Sequence, residues 1–198
     1  MNKQRSKRAE SALFNALVQQ LHRKSLNKIT IKSLTDEANL HRTTFYANYN
    51  SIEELYNTSE SMIFEEISNH FNIDSELFDC YYSLLSYIDN NKLVCSLFFN
   101  GKIARERIDA LSALFIAPYI NNLRKNYGIN YPDEAIMDVV LPFLQYHFAG
   151  CVTMVGQWLD RKLILTIDEL ATRMANMELS LGKIIVAELQ QKLNETNL

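Results

Sequence analysis

A chain of 198 residues, 47% hydrophobic and with ten Tyr and ten Phe, can bury a sizeable core. Five Gly and three Pro leave few turns needing positive φ and few positions closed to a helix. With no sustained period-2 alternation, this excludes a sheet-rich fold and predicts an all-α one. The formal charge of −3 is spread unevenly. Residues 1–50 hold nine basic side chains against three acidic ones, a surplus of six, which leaves −9 on the remainder. A basic head on an acidic body is the pattern of a polyanion-binding module joined to another function.

In chain order, Ala9, Leu13, Ala16, Leu17 and Leu21 mark one buried face of a helix over 6–23. After the connection KSLNK, Thr30 caps a helix carrying Ile31, Leu34 and Ala38 on its inner side. Asn39 stops it, because Asn tolerates the left-handed conformation. A second short helix, Arg42 to Ala47, turns Phe45 and Tyr49 to the core. Ser51-Ile-Glu-Glu54 is a capping box that opens a helix to about His70. Polar residues from Asn72 to Ser75 end the head, giving domains 1–70 and 71–198.

Further helices are expected near 75–90, 92–99, 102–127, 132–161 and 167–194. Pro132 followed by two acids starts one, and Thr166-Ile-Asp-Glu169 is another capping box. Between 136 and 159 apolar residues fall on almost every face, so that helix needs cover on all sides. The helix after it has an apolar stripe through Leu170, Met174, Met177, Leu181 and Ile185. Two such helices from each of two chains would make a four-helix bundle, so a homodimer is expected.

The segment TIKSLTDEANLHRTTFYANYNSIEEL, residues 30–55, carries the most specific signal. Two short helices joined by a tight turn present the second one outward, sized for a major groove. Its outward residues His41, Arg42, Thr43, Thr44, Tyr46 and Asn48 suit base edges and phosphates, and none is acidic. This segment resembles the N-terminal signature of the tetracycline-repressor (TetR/AcrR) family, T-x-x-x-I/L-A-x-x-A-G-V-S-x-x-T-F/L-Y-x-H/Y-F-x-S-K-E-E-L. The match falls on Thr30, Leu34, Ala38, Leu40, Thr44, Phe45, Tyr46, Tyr49, Ser51, Glu53, Glu54 and Leu55. Asn39 stands where the family prefers Gly, His41 where a small polar cap is usual, and Ile52 where a phosphate-facing Lys is common.

The resemblance implies a three-helix DNA-binding head, with a linking helix, and a helical body for effector binding and dimerisation. Double-stranded operator DNA is the implied partner. Thr30 and Lys32 would meet phosphate, Arg42, Thr43 and Thr44 would face base edges with His41 beside them, and Tyr46 and Asn48 would clamp the backbone. Lys3, Arg5, Lys7 and Arg8 would form a mobile arm. The implied effector cavity draws on Tyr82, Phe98, Phe115, Tyr119, Tyr146, His147, Cys151 and Trp158. Pro142 would bend its helix near that cavity.

No cofactor is expected and no enzyme, since G-x-S-x-G, the P-loop, G-x-G-x-x-G and H-E-x-x-H are all missing. His147 and Cys151 lie four apart on one helix face, but two ligands do not make a metal site, and none is assigned. Cys80, Cys95 and Cys151 fit no disulfide framework, MNKQRSKRAE has no apolar core behind it, and no run of about 18 apolar residues suggests a bilayer span. A cytoplasmic protein off the membrane is the expectation. The function that follows is a repressor binding a palindromic operator as a homodimer under control of a small effector. The alternative is a co-activator of the same fold, acting through a partner protein or an effector.

Overall fold

A computed structural model describes residues 3–70, 75–99, 105–128 and 133–196. It is all-α, with no strand among the described residues. The helices are α1 (Lys3–Leu21), α2 (Ile31–Glu37), α3 (Arg42–Tyr46), α4 (Ile52–Asn69), α5 (Leu77–Asn90), α6 (Lys92–Phe99), α7 (Arg105–Tyr127), α8 (Asp133–Leu159) and α9 (Ile167–Thr196). Chain contacts divide it into two compact units, Met1–Glu65 and Glu66–Leu198. The division falls inside α4, whereas the sequence reading placed it after residue 70. Pro132 and Asn72 lie outside the described residues.

In the first unit α1, α2 and α3 pack on one another. Leu13, Leu17, Leu34, Phe45 and Leu55 are fully buried there, each worth about 1.5–3 kcal/mol of transfer free energy. The ends of these short helices are set by local hydrogen bonds. The Thr30 hydroxyl accepts from the Ser33 amide at 3.1 Å, and the Ser33 hydroxyl accepts from the Thr30 amide at 3.2 Å. Asn39 sits at φ 52, and around it the Leu40 amide reaches back to the Thr35 carbonyl at 2.9 Å. That left-handed stop turns the chain from α2 into α3 within four residues. At the start of α4 the Ser51 hydroxyl accepts from the Glu54 amide at 3.0 Å. The Glu54 carboxylate, however, accepts from the Asn50 amide at 2.7 Å, one residue before the partner a reciprocal box would use.

In the second unit α5 packs on α9, α6 on α8, α7 on α8 and α8 on α9. A continuous core joins Tyr119, Leu123, Ile136, Val140, Leu144, Leu181 and Ile185. The capping box at α9 is reciprocal: Glu169 N–H donates to the Thr166 hydroxyl at 3.2 Å, and Thr166 N–H donates to the Glu169 carboxylate at 2.9 Å. Gly128 (φ 64) follows α7, and Arg161 (φ 57) closes α8 with the Lys162 amide reaching the Gln157 carbonyl at 2.9 Å.

Two sequence expectations need correction. Ile136–Leu159 is long and apolar enough, by length and composition, to cross a membrane, although no such run was expected. The scattered polar residues Gln145, His147, Thr153 and Gln157 hide it from a search for an unbroken apolar stretch. His147 in its middle is ion-paired to Glu178 of α9, as suits a helix packed against protein. Secondly, the basic residues from Lys3 to Arg8 are the first turns of α1, not an arm without structure.

Candidate functional site

The head presents α3 on its surface. Phe45 is its buried anchor and meets Tyr46 edge-on and Tyr49 at a tilt, with centroids 5.6 and 6.0 Å away. With that face fixed inward, His41, Arg42, Thr43 and Tyr46 stand exposed, and Tyr46 is 58% accessible. Thr44 is half-buried. His41 is the N-cap residue of α3 but makes no side-chain cap bond, so its ring is not spent on the helix. Thr30 and Lys32 are exposed at the start of α2. Thr43, Thr44 and Ala47 also line a concavity of about 500 Å³ with Ser6, Arg8, Ala9 and Leu40.

Arg23 meets Glu37 at 2.6 Å away from α3, while Arg42 makes no ion pair among the described residues. No acidic residue lies between His41 and Asn50. Asn48 is placed differently from the backbone clamp expected of it. Its amide nitrogen donates to the Thr44 carbonyl at 2.7 Å, and its oxygen lies 2.9 Å from the Ser6 hydroxyl on α1. Both ends of the side chain are engaged within the head, so Asn48 ties α3 to α1. Sequence reading could not see this, since Ser6 and Asn48 are 42 residues apart.

The body holds a small, almost wholly apolar cavity of about 60 Å³. Tyr119, His147 and Cys151 line it, with Tyr81, Phe99 and Glu178 among their neighbours. Tyr82 (40% exposed) and Tyr146 (80% exposed) do not, correcting their assignment: each lies on the side of its helix turned from the core. Trp158 is buried elsewhere, donating its indole N–H to the Leu165 carbonyl at 2.9 Å, with Lys92 Nζ 5.7 Å from its ring centre. The side chains of Phe98 and Phe115 lie outside the described residues.

At one wall of the cavity three polar groups converge on one nitrogen. His147 Nε2 lies 2.6 Å from Glu178 Oε2, 2.9 Å from the Tyr81 hydroxyl and 3.4 Å from Cys151 Sγ. Tyr81 also donates to Glu178 Oε2 at 3.3 Å. Burial by itself would lower the imidazole pKa, but hydrogen bonds to Cys151 and Glu178, with their charges, outweigh it and lift it to about 10. That upward shift favours the charged imidazole beside the Glu178 carboxylate. Burial, then the Glu178 charge, holds the Tyr81 phenol well above its ordinary value. These groups crowd around a proton, not around a vacant point; among the described residues no group of three or more His, Cys, Asp or Glu is arranged to hold a metal ion.

Glu178 was missed by the sequence reading, and Tyr81, though one of the body's clustered aromatic residues, was not assigned to the cavity. Glu178 had a visible signal: it follows Met174 by four and precedes Leu181 by three, so it falls on the buried stripe of α9. A carboxylate in such a stripe requires a buried partner. Tyr81 had none, because its partners are 66 and 97 residues away.

No protein-family model and no curated protein matches the chain. Solved structures do resemble it along nearly its whole length. One is a TetR-family transcriptional regulator from Streptomyces coelicolor, 13% identical, with a TM-score of 0.61 over 93% of this chain and 89% of the other. Another is the dihydroxyacetone kinase operon activator DhaS, 18% identical, with a TM-score of 0.59 over 89% of this chain and 97% of the other. The chain thus has the all-α fold of the TetR-family regulators, and these neighbours are regulators of transcription, not enzymes.

Proposed function

We propose that this protein is a DNA-binding transcriptional regulator, a repressor that holds a palindromic operator as a cytoplasmic homodimer and answers to a small effector. One observation carries the DNA-binding reading: α3 offers an exposed, acid-free face led by Arg42, which makes no ion pair among the described residues. Arg42 can form a bidentate pair with guanine, and Thr43 can reach base edges or phosphate. His41, Thr30, Lys32 and Tyr46 add polar groups for the backbone. Asn48 serves by holding α3 in place.

The dimer reading rests on what α8 and α9 leave uncovered. Most of α8 is buried or half-buried, but one stripe of it stays exposed. Its exposed stripe runs through Pro142, Tyr146, Gly150 and Thr153, and α9 exposes Met177, Ser180, Ile184 and Ala187 at helical spacing. A second copy laid on this surface would complete a four-helix bundle about a two-fold axis. The cavity is the seat of the effector, and its walls come from α4 to α9, including both helices of that surface. A ligand that binds one arrangement of these helices better than another would bias operator affinity.

The test is binding of purified protein to fragments of its own genome, read with and without candidate effectors. Retention of one fragment carrying two half-sites, about one helical turn or a multiple apart, supports the reading. Even retention of all fragments, lost together as salt rises, leaves only non-specific charge and contradicts it. Activation is the second reading, and DhaS, an operon activator, is the neighbour that favours it. A co-activator would hold the fragment only when a partner protein or an effector is added.

A further inference from the structure

Two residues of the body belong to two chambers at once. Tyr119 and Glu178 line the apolar cavity of about 60 Å³, and they also line an outer concavity of about 320 Å³. The outer chamber is otherwise edged by Glu76, Asn122, Lys125 and Gly182. These two side chains are therefore shared between an apolar chamber and a polar one. Both are more than nine-tenths buried as residues, yet both have hydrogen-bonding capacity left. Glu178 spends Oε2 on His147 and Tyr81, and Oε1 accepts no hydrogen bond among the described residues. The Tyr119 hydroxyl likewise makes none among the described residues. Burial, with the charges of Glu178 and Tyr127, holds its phenol above the ordinary value, so it keeps its proton.

An unmade hydrogen bond at a buried group is costly, and two on one wall call for a shared partner. That partner must donate to the Glu178 carboxylate and also exchange a hydrogen bond with a phenol. A hydroxyl does both. A carboxylate would offer no donor, and it would meet Glu178 charge to charge. An ammonium would compete with His147, already 2.6 Å from Oε2, for the same carboxylate. The inner chamber sets the rest of the molecule. A cavity of about 150 Å³ accommodates benzene, so one of about 60 Å³ takes a short aliphatic chain and not a ring.

We propose that the effector is a short-chain aliphatic alcohol or diol, with its alkyl end in the inner chamber and its hydroxyl on the Tyr119–Glu178 wall. Any further polar part lies in the outer chamber, through which the molecule arrives. Gly182 keeps that approach open: a Cβ there would stand 3.9 Å from the Tyr119 hydroxyl, so a longer side chain would lie across the wall. This inference rests on the effector reading above and specifies its chemistry.

The test follows the methyl resonance of Met174, a buried lining residue of the inner chamber, in the full-length protein without DNA. The compounds are 1,2-hexanediol, hexylamine and hexanoate. The expected result is a saturable shift with the diol and much weaker responses to the amine and the acid. Tyr119→Phe should weaken diol binding by about threefold to tenfold, the loss of one hydrogen bond. Gly182→Leu should weaken it at least as much while the helix keeps its melting temperature. Absence of a saturable shift, equal affinity in both variants, or preference for hexylamine or hexanoate would overturn the proposal. A protein that binds the diol but prefers no DNA fragment breaks the regulatory reading and leaves the chambers standing. One that selects a fragment and ignores the diol does the reverse.

Discussion

In the head, the bonds that end each helix join residues three to five apart, and the side chains that face outward are polar and exposed. In the body, the defining polar contacts are buried and join residues 66 and 97 apart. Helix ends in both regions are set by local bonds, but only the body buries a cluster of polar groups drawn from distant helices. Substitutions in the two regions should therefore fail in different ways. Surface changes in the head should cost binding and spare stability, while changes at the body's cluster should cost stability first.

The largest effect is expected at His147. His147→Ala leaves Glu178 buried without its cation, which should destabilise the body by about 3–5 kcal/mol in chemical denaturation. His147→Leu combined with Glu178→Leu should recover most of that loss, because the uncompensated charge goes as well. The same pair should give the protein a pH dependence. The imidazole is held at about 10, above its usual 6.5, so its stabilisation is complete below about pH 6.5 and drains away as pH rises towards 10. Melting temperatures should fall across that window in the wild type and stay flatter in the double variant.

In the head, Arg42→Ala should weaken operator binding by about 1–3 kcal/mol, with no change in melting temperature. A smaller effect is expected at the caps. Thr166→Ala removes the hydroxyl that accepts from Glu169 and should cost about 1 kcal/mol of stability. The smallest has the opposite sign. Arg161→Gly relieves a left-handed residue at the end of α8 and should stabilise the protein by about 1 kcal/mol or less in the same denaturation experiment.

This contrast also explains what the sequence disclosed. Thr30, Asn39, Ser51 and Thr166 announce helix ends by residue type and spacing, and at each the chain makes the turn or cap such residues favour. The exposed face of α3 follows once Phe45 is recognised as its anchor. The cavity of the body was less legible. Aromatic residues on an apolar helix do not reveal which side meets a cavity, and Tyr82 and Tyr146 turned out to face solvent. Asn48 read as a polar contact for a partner because its bond to Ser6 depends on how α1 crosses α3. The Tyr81–His147–Glu178 cluster depends on the packing of three helices, and only the misplaced-looking Glu178 hinted at it.

The most direct test of the central claim is a competition experiment on genomic fragments at moderate salt, comparing wild-type protein with Arg42→Ala. The expected result is a preferred fragment with paired half-sites for the wild type and a loss of that preference in the variant, both proteins melting alike. Equal preference in both, or none in either with candidate effectors and cell extract added, would contradict it.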